Sequence, residues 1–227
     1  ILVLDKKPIW HIYEALLLYQ GGLVFYGGLI GGFIGGWAYL RYCKIPLIPA
    51  GDIAFTYLPL AHAFGRMGCF LNGCCWGEVC PEWLPWGITY KHSAYGAFHQ
   101  QVEDHLISPD AKFTLPMHPT QAYEMLGLLL IFVIMLYVYK HRRYVGTVFF
   151  LYPLLYGILR FTNEFMRGDS SHPFLGLTVA QGISLGLMAI GVIGLLISRT
   201  GYWQHLDPDL APETDAAAEE DVDKSPD

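Results

Sequence analysis

The sequence predicts an all-α, polytopic integral membrane protein with about five transmembrane helices. Hydrophobic residues make up 53% of its 227 residues, and charged residues only 15%. A water-soluble domain carries about 25% charged residues. The mean hydropathy is +0.35, and the apolar residues are grouped in blocks of about 20, the length of helix that crosses a bilayer. This grouping indicates membrane spans rather than a soluble core.

Five apolar segments fit spanning helices. The first, 23–40, has no charge and repeats paired glycines every four residues, so another helix can approach closely. The other four cover residues 53–71, 118–139, 145–166 and 177–197. Residues 10–18 suit a short interfacial helix, and the polar, aromatic-rich connection 74–117 suits a segment on the membrane surface.

The net charge of −6 is concentrated at the carboxyl end. Residues 207–227 hold nine acidic residues and one lysine, so this segment carries −8 and the remainder +2. Its composition is typical of a disordered, solvated segment. We therefore expect a transmembrane domain over 1–203 and an acidic cytoplasmic tail over 204–227. The chain starts at Ile1 without a visible signal peptide, and we expect that the natural protein begins earlier.

The basic residues predict the orientation. Arg41 and Lys44, the basic group at 140–143, and Arg199 fall on one side, which should be cytoplasmic. The connection 74–117 then lies on the outer side, together with residues 1–22 and 167–176.

Three polar motifs in the spans should converge near the outer face. His62, Arg66 and Cys69 share a face of the second span, and Gln121 and Glu124 can face one partner at the start of the third. The fourth carries a polar stripe of Tyr156, Arg160, Asn163, Glu164 and Arg167. Each has an ordinary explanation, such as a helix-terminal Glu or an Arg–Glu pair. Their convergence favours a cavity, because charged groups in an apolar layer are costly unless they face protein, water or an anion.

Two arginines from different spans, Arg66 and Arg160, suit a phosphate group. In an apolar cavity at the outer leaflet, the natural source of that phosphate is a phospholipid. Transfer of part of the lipid requires a nucleophile, a base and a stabilised leaving phosphate. Composition and spacing do not identify the acceptor.

The sequence also carries motifs that occur together in a known family. They read Phe25-Tyr26-Gly27-Gly28-Leu29-Ile30-Gly31, Gly65-Arg66-x-Gly68-x-Phe70-x-Asn72-Gly73-x-x-Trp76-Gly77, His118-Pro119-Thr120-Gln121-x-Tyr123-Glu124 and Tyr156-Gly157-x-x-Arg160-Phe161-x-x-Glu164-Phe165-x-Arg167, followed by a span with Gln181. In order and over about residues 20–199, they resemble the prolipoprotein diacylglyceryl transferases. Family members have two further spans before the first one here.

The resemblance implies a reaction and its partners. The diacylglyceryl group of phosphatidylglycerol passes to the thiol of a lipobox cysteine in a prolipoprotein, and glycerol-1-phosphate leaves. The expected location is the bacterial cytoplasmic (inner) membrane, as a multi-pass protein embedded in the lipid bilayer with its active site toward the outer face. No metal, soluble cofactor or nucleic acid is implied.

The resemblance also implies roles for matching positions. Arg66 and Arg160 would hold the phosphate and head group, and Glu164 would orient Arg160 or Arg167. The residues expected to contact or shape the substrate site are Tyr26, Gly27, Gly28, Gly65, Gly68, Asn72, Gly77, Gln121, Glu124, Tyr156, Arg167 and Gln181.

Three positions depart from the family pattern. The family usually has His at Tyr26, Asn at Cys69 and commonly an acidic residue at Cys74. The usual proton acceptor for the thiol is therefore absent, and we expect His62 or His118 to take that role. The alternative is a non-catalytic or altered-substrate membrane protein that binds anionic lipid.

The five cysteines leave several interpretations open. Their odd number excludes a fully disulfide-bonded framework, and Cys69, Cys74, Cys75 and Cys80 cluster toward the outer face. A Cys75–Cys80 disulfide would pin the loop to the motif. The other interpretations are inert buried thiols, a thiol that transiently accepts the lipid, and a four-thiolate metal site, although the spacing matches no usual zinc pattern.

Overall fold

The computed structural model describes residues 23–81, 83–91, 96–168, 176–207 and 210, with only the backbone for 23–30. Within these ranges the chain forms six α-helices, a single 3-10 turn (Gln204–Leu206) and no named strand. The helices are α1 (Leu23–Tyr42), α2 (Leu47–Asn72), α3 (Ala97–Glu103), α4 (Thr120–His141), α5 (Thr147–Glu164) and α6 (Val179–Arg199). The predicted all-α class is confirmed. The predicted interfacial helix at 10–18 lies outside the described residues.

The chain divides into two compact units, residues 1–47 and 48–227. The first unit contains α1. The second contains α2 from its second residue onward, with all later helices. Of the described helices, α4 and α6 are both long and apolar enough to cross a membrane. The count of five spans stays a prediction.

Helix α2 begins six residues before the predicted start of its span. Pro49 falls in the first turn of the helix, where a missing N–H breaks no intrahelical hydrogen bond. Pro49 is therefore compatible with a helix that starts at Leu47.

Small residues let α5 pack closely on α6. A Cβ atom at Gly157 would lie 2.9 Å from the carbonyl oxygen of Ser184, and one at Gly191 would lie 2.9 Å from that of Phe150. Such close approach is typical of helix pairs in membranes. On the side facing α4, the core is formed by Ile131, Met135, Val148 and Tyr152.

A buried carboxylate joins the start of α2 to the start of α5. Asp52 accepts hydrogen bonds from the N–H groups of Gly146 and Phe149, both at 2.8 Å. It also lies 3.5 Å from Arg142 Nε. The carboxylate thus satisfies N–H groups at the positive end of the α5 dipole.

The same end of the second unit holds the segment after α6. Arg142 Nη2 lies 3.3 Å from Asp207, and Gln204 donates to the carbonyl oxygen of Arg143 at 3.3 Å. Residues 211–227 of the predicted tail lie outside the described residues, so the tail stays a prediction.

Residues 74–80, which we name the strap, cross between the start of α4 and the chain after α5. Gly77 N donates to His118 O (3.1 Å) and His118 N to Glu78 O (3.0 Å), while Glu78 N donates to Met166 O (2.9 Å). A Cβ at Gly77 would lie 2.5 Å from His118 O and 2.7 Å from Met166 O. Only glycine fits there, so the strap holds two helix ends at a fixed separation.

Candidate active site

The centre of the site is an ion pair between α2 and α4. Arg66 Nη2 lies 2.8 Å from Glu124 Oε1, and the side chains are 14% and 1% exposed. Tyr156 donates to the same carboxylate oxygen at 3.5 Å. Asn163 donates to the other, Oε2, at 3.2 Å and to the carbonyl of Thr120 at 3.2 Å. Both oxygens of Glu124 therefore face donors, which fixes the carboxylate beside Arg66.

A second carboxylate, that of Glu164, pairs with one arginine within α5 and one just after its end. Glu164 Oε2 lies 2.6 Å from Arg160 Nη1 and 3.7 Å from Arg167 Nε. All three side chains are largely buried, at 3–14% exposure. The sequence left open which arginine Glu164 orients, and the structure pairs it with both. We name Arg66, Arg160, Arg167, Glu124 and Glu164 the arginine cluster.

Two tyrosines and a histidine connect the arginine cluster to the core. His62 Nδ1 lies 3.3 Å from Tyr152 Oη, and its ring centroid lies 5.0 Å from that of Tyr156. The two tyrosine rings stack at 5.8 Å. Tyr156 thus contacts both the His62 ring and the carboxylate of Glu124.

His118, the other candidate proton acceptor, lies beside an apolar groove. Its Nδ1 is 3.3 Å from Tyr123 Oη, which also accepts a 2.8 Å hydrogen bond from Trp86 Nε1. The groove has a volume of about 400 Å³ and reaches Asn163. Its lining comprises Leu84, Trp86, His118, Tyr123, Leu159, Thr162, Asn163 and Met166. The apolar groove is thus lined in part by Asn163, which donates a hydrogen bond to Glu124.

Gln121 faces the strap and not the ion pair. Its Nε2 donates to Cys74 O at 2.7 Å and to Tyr90 Oη at 3.1 Å, and Thr120 Oγ1 donates to Cys75 O at 2.8 Å. Burial raises the pKa of the Tyr90 phenol, so it stays neutral near pH 7. Gln121 and Glu124 therefore have different partners, and Gln121 fixes the strap to α4.

The other predicted contact residues have different surroundings. Gly65 and Gly68 lie inside α2, and an added Cβ at either would meet no atom within 4 Å. Asn72 is exposed at the end of α2. Gln181 forms a capping box with Thr178: its Oε1 accepts from Thr178 N at 3.0 Å, and its own N–H donates to Thr178 Oγ1 at 3.1 Å. Tyr26, Gly27 and Gly28 lie in the part of α1 whose side chains are not among the described residues.

Two contributors were missed as site residues. Asn163 was placed on the polar stripe but not in the site, and Tyr152 was not singled out. Only their spacing indicates them, because Tyr152 lies four residues before Tyr156 and Asn163 three residues after Arg160, on the same side of α5.

None of the five cysteines, all of them among the described residues, forms a disulfide. The proposed Cys75–Cys80 bond is therefore not present in the structure. Instead, the Sγ atoms of Cys69, Cys74 and Cys75 lie within 4.8 Å of one another. Cys80 is buried at 4% exposure and stands outside this group.

These features define a class of protein. It is a helical membrane protein that holds a largely buried cluster of arginines and carboxylates beside an apolar groove. Such a site is suited to an anionic, amphipathic ligand.

Comparison with known proteins gives the family. A model of the prolipoprotein diacylglyceryl transferase family matches residues 6–197, and the chain belongs to that family.

Three similar proteins are each named phosphatidylglycerol–prolipoprotein diacylglyceryl transferase. The one from Clostridium tetani is 32% identical over 198 residues, which cover 87% of this chain and 73% of that protein. The one from Polaromonas naphthalenivorans is 34% identical over 178 residues, covering 78% and 58%. The one from Ralstonia pickettii is 32% identical over 214 residues, covering 86% and 70%. The chain thus spans between 58% and 73% of the length of these relatives.

Proposed function

We propose that this chain transfers the diacylglyceryl group of phosphatidylglycerol to the thiol of a lipobox cysteine in a prolipoprotein. The reaction takes place at the outer face of the bacterial cytoplasmic membrane. The names of the relatives give the donor lipid and the class of acceptor. The lipobox and the outer face rest on the family resemblance and on the distribution of basic residues.

The observation that carries the proposal is the charge balance of the arginine cluster. The five side chains that define the cluster are three guanidinium groups and two carboxylates, so together they carry a net charge of +1 at 1–14% exposure. The phosphodiester of phosphatidylglycerol carries one negative charge and neutralises it. A zwitterionic phospholipid has an ammonium group in addition to its phosphate. Once the phosphate has neutralised the cluster, no negative charge remains there to pair with that ammonium group, so such a lipid should bind less well.

The carboxylates act by positioning the arginines. Glu124 holds Arg66, and Glu164 holds Arg160. The guanidinium groups are then aimed before the lipid arrives. Preorganised donors stabilise charge that develops in the transition state without further rearrangement.

The chemical step exchanges one bond for another. The acceptor sulfur forms a bond to the glyceryl carbon that carries the phosphate ester, and the bond between that carbon and the ester oxygen breaks. Glycerol-1-phosphate leaves with one more negative charge than the diester had. Arg66 and Arg160 stabilise that added charge, and the thiol proton passes to a base.

Two histidines are candidates for that base. His118 lines the apolar groove, where a peptide that approaches from the membrane surface would place its cysteine. His62 lies one turn before Arg66 and contacts Tyr152.

The test is a transfer assay with the chain in membranes. Phosphatidylglycerol labelled in its acyl chains is mixed with a lipobox peptide, and a peptide with Ser in place of the lipobox Cys serves as the control. We expect labelled thioether peptide and an equal amount of glycerol phosphate, with no product from the Ser peptide. A folded protein that binds phosphatidylglycerol without transfer would instead support the non-catalytic, lipid-binding alternative.

A further inference from the structure

Three cysteines from two segments meet beside the arginine cluster. Cys69 lies in the last turn of α2, and Cys74 and Cys75 begin the strap. Their Sγ atoms all lie within 4.8 Å of one another, and each residue is half-buried. The mechanism proposed above makes no use of them.

The end of α2 explains this arrangement. Gly73 has φ 72°, Cys74 N donates to Cys69 O at 3.2 Å, and Gly73 N donates to Phe70 O at 3.3 Å. These two bonds form a Schellman motif, which reverses the chain after a helix. The reversal brings Cys74 back over Cys69, and Cys75 follows with φ 64°, a conformation that costs a non-glycine residue about 1–2 kcal/mol.

The strap is held in this position by groups outside the thiol cluster. Gln121 donates to the carbonyl of Cys74 and Thr120 to that of Cys75, at 2.7 and 2.8 Å. The backbone that carries the thiols is therefore fixed without any bond between the sulfurs.

The sulfur separations are close to those of a metal site. A Zn–S bond of about 2.3 Å places tetrahedral ligands about 3.8 Å apart and trigonal ligands about 4.0 Å apart. Starting from separations of at most 4.8 Å, the sulfurs need to approach by about 1 Å or less, which is within reach of small side-chain rotations.

One positively charged side chain lies near the thiol cluster. Arg66 is close enough to interact electrostatically with Cys69 and Cys75. Three thiolates with one divalent ion carry a net charge of −1, which the neighbouring guanidinium stabilises. Soft thiolate ligands select ions such as Zn²⁺ and Cu⁺.

We propose that Cys69, Cys74 and Cys75 bind one soft d¹⁰ metal ion, with Zn²⁺ as the representative, through three thiolates. The three thiol protons go to solvent when the ion binds, and a fourth coordination position of a tetrahedral ion stays open. The ion ties the end of α2 to the strap, which itself spans the ends of α4 and α5. The site adds to the proposed transfer reaction and does not depend on it.

The experiment measures metal bound to the full chain, purified in detergent under reducing conditions. The protein is equilibrated with zinc sulfate, dialysed, and analysed for zinc per chain. We expect about one ion per chain. Replacement by Co²⁺ should produce sulfur-to-cobalt charge-transfer absorption, which reports thiolate ligation independently of transferase activity.

Matched variants locate the ion. Cys69→Ser, Cys74→Ser and Cys75→Ser should each weaken zinc binding by at least about tenfold. Loss of a residue that only supports a metal ligand already weakens binding by about 10- to 100-fold, so loss of a ligand itself should cost no less. Cys43→Ser and Cys80→Ser are the controls and should leave zinc binding unchanged. Thermal unfolding checks that each variant is folded.

Three results would overturn the proposal. One is a folded, reduced protein with less than about a tenth of an equivalent of zinc. Another is zinc that stays in the variant lacking all three cysteines, because the ion then lies elsewhere, for example on histidines. The third is isolation from cells with two of the three cysteines joined in a disulfide and no metal.

Discussion

Replacing Glu124 by Gln removes one negative charge from the centre of the arginine cluster and keeps the size of the side chain. Arg66 and Tyr156 face its Oε1, and Asn163 donates to its Oε2. An amide has one acceptor oxygen, so the NH₂ group of the variant must face a donor on one side or the other. In either orientation of the amide, Arg66 loses the charged partner that positions it.

The expected loss follows from the geometry of this pair. A hydrogen bond to a charged partner contributes about 1.5–3 kcal/mol, and Glu124 is only 1% exposed, so screening by water is small. Because about 1.4 kcal/mol corresponds to a factor of ten, kcat/KM for lipid transfer should fall by about 10- to 150-fold in Glu124→Gln. Arg66→Gln, which removes a group in contact with the phosphate, should cost about 100- to 1,000-fold.

The double variant separates positioning from direct participation. If Glu124 acts through Arg66, adding Glu124→Gln to Arg66→Gln should lower kcat/KM by no more than about threefold further. Glu103→Gln, at an exposed glutamate of α3, is the matched control and should stay within about twofold of wild type. Losses that multiply in the double variant would refute the reasoning, because Glu124 would then act on the reaction by itself, for instance as the proton acceptor.

Three further predictions concern the base, the α5 cap and the strap. Of His62→Gln and His118→Gln, one should lower kcat by at least about 100-fold, the usual contribution of a general base; transfer that is unchanged in both would exclude both histidines. Asp52→Asn should lower the free energy of unfolding by about 2 kcal/mol, since a buried carboxylate that accepts two N–H groups loses its charge; an unchanged midpoint in detergent melts would contradict this. Gly77→Ala should make the 74–117 connection more sensitive to limited proteolysis, because a Cβ there would lie 2.5 Å from a carbonyl oxygen. The control Gly65→Ala should not, because its Cβ meets no atom within 4 Å. Equal proteolysis rates would contradict the role of the strap in holding the connection in place.

Much of the fold follows from local properties of the chain. The long helices lie where the apolar blocks lie, because a block of about 20 apolar residues has few other stable arrangements in lipid. The pairing of Arg160 with Glu164 was expected for the same kind of reason, since residues four apart on a helix are neighbours.

Contacts between helices were harder to predict. Spacing places Arg66 on a helix face but does not say that Glu124 is its partner, because that depends on how α2 and α4 pack. Asn163 is neutral and carries little signal by itself, although it holds the carboxylate of Glu124.

Two local motifs were present in the sequence but were given another meaning. Gln181 was expected to contact substrate, which stays a prediction, and its capping box with Thr178 three residues earlier was not expected. The cysteine cluster depends on Gly73, which follows the last residue of α2 as a helix-ending glycine does. Gly73 alone does not say which thiols the reversal brings together, and a Cys75–Cys80 pairing was considered instead.

The central claim is that the arginine cluster binds the phosphodiester during transfer. The most direct measurement is transfer of labelled diacylglyceryl from phosphatidylglycerol to a lipobox peptide by Arg66→Ala, Arg160→Ala and Arg199→Ala in membranes. Arg199 ends α6 and is exposed. We predict that the first two variants, folded by thermal unfolding, lose at least about 100-fold in kcat/KM, while Arg199→Ala stays within about twofold of wild type. Full transfer by Arg66→Ala or Arg160→Ala would contradict the account.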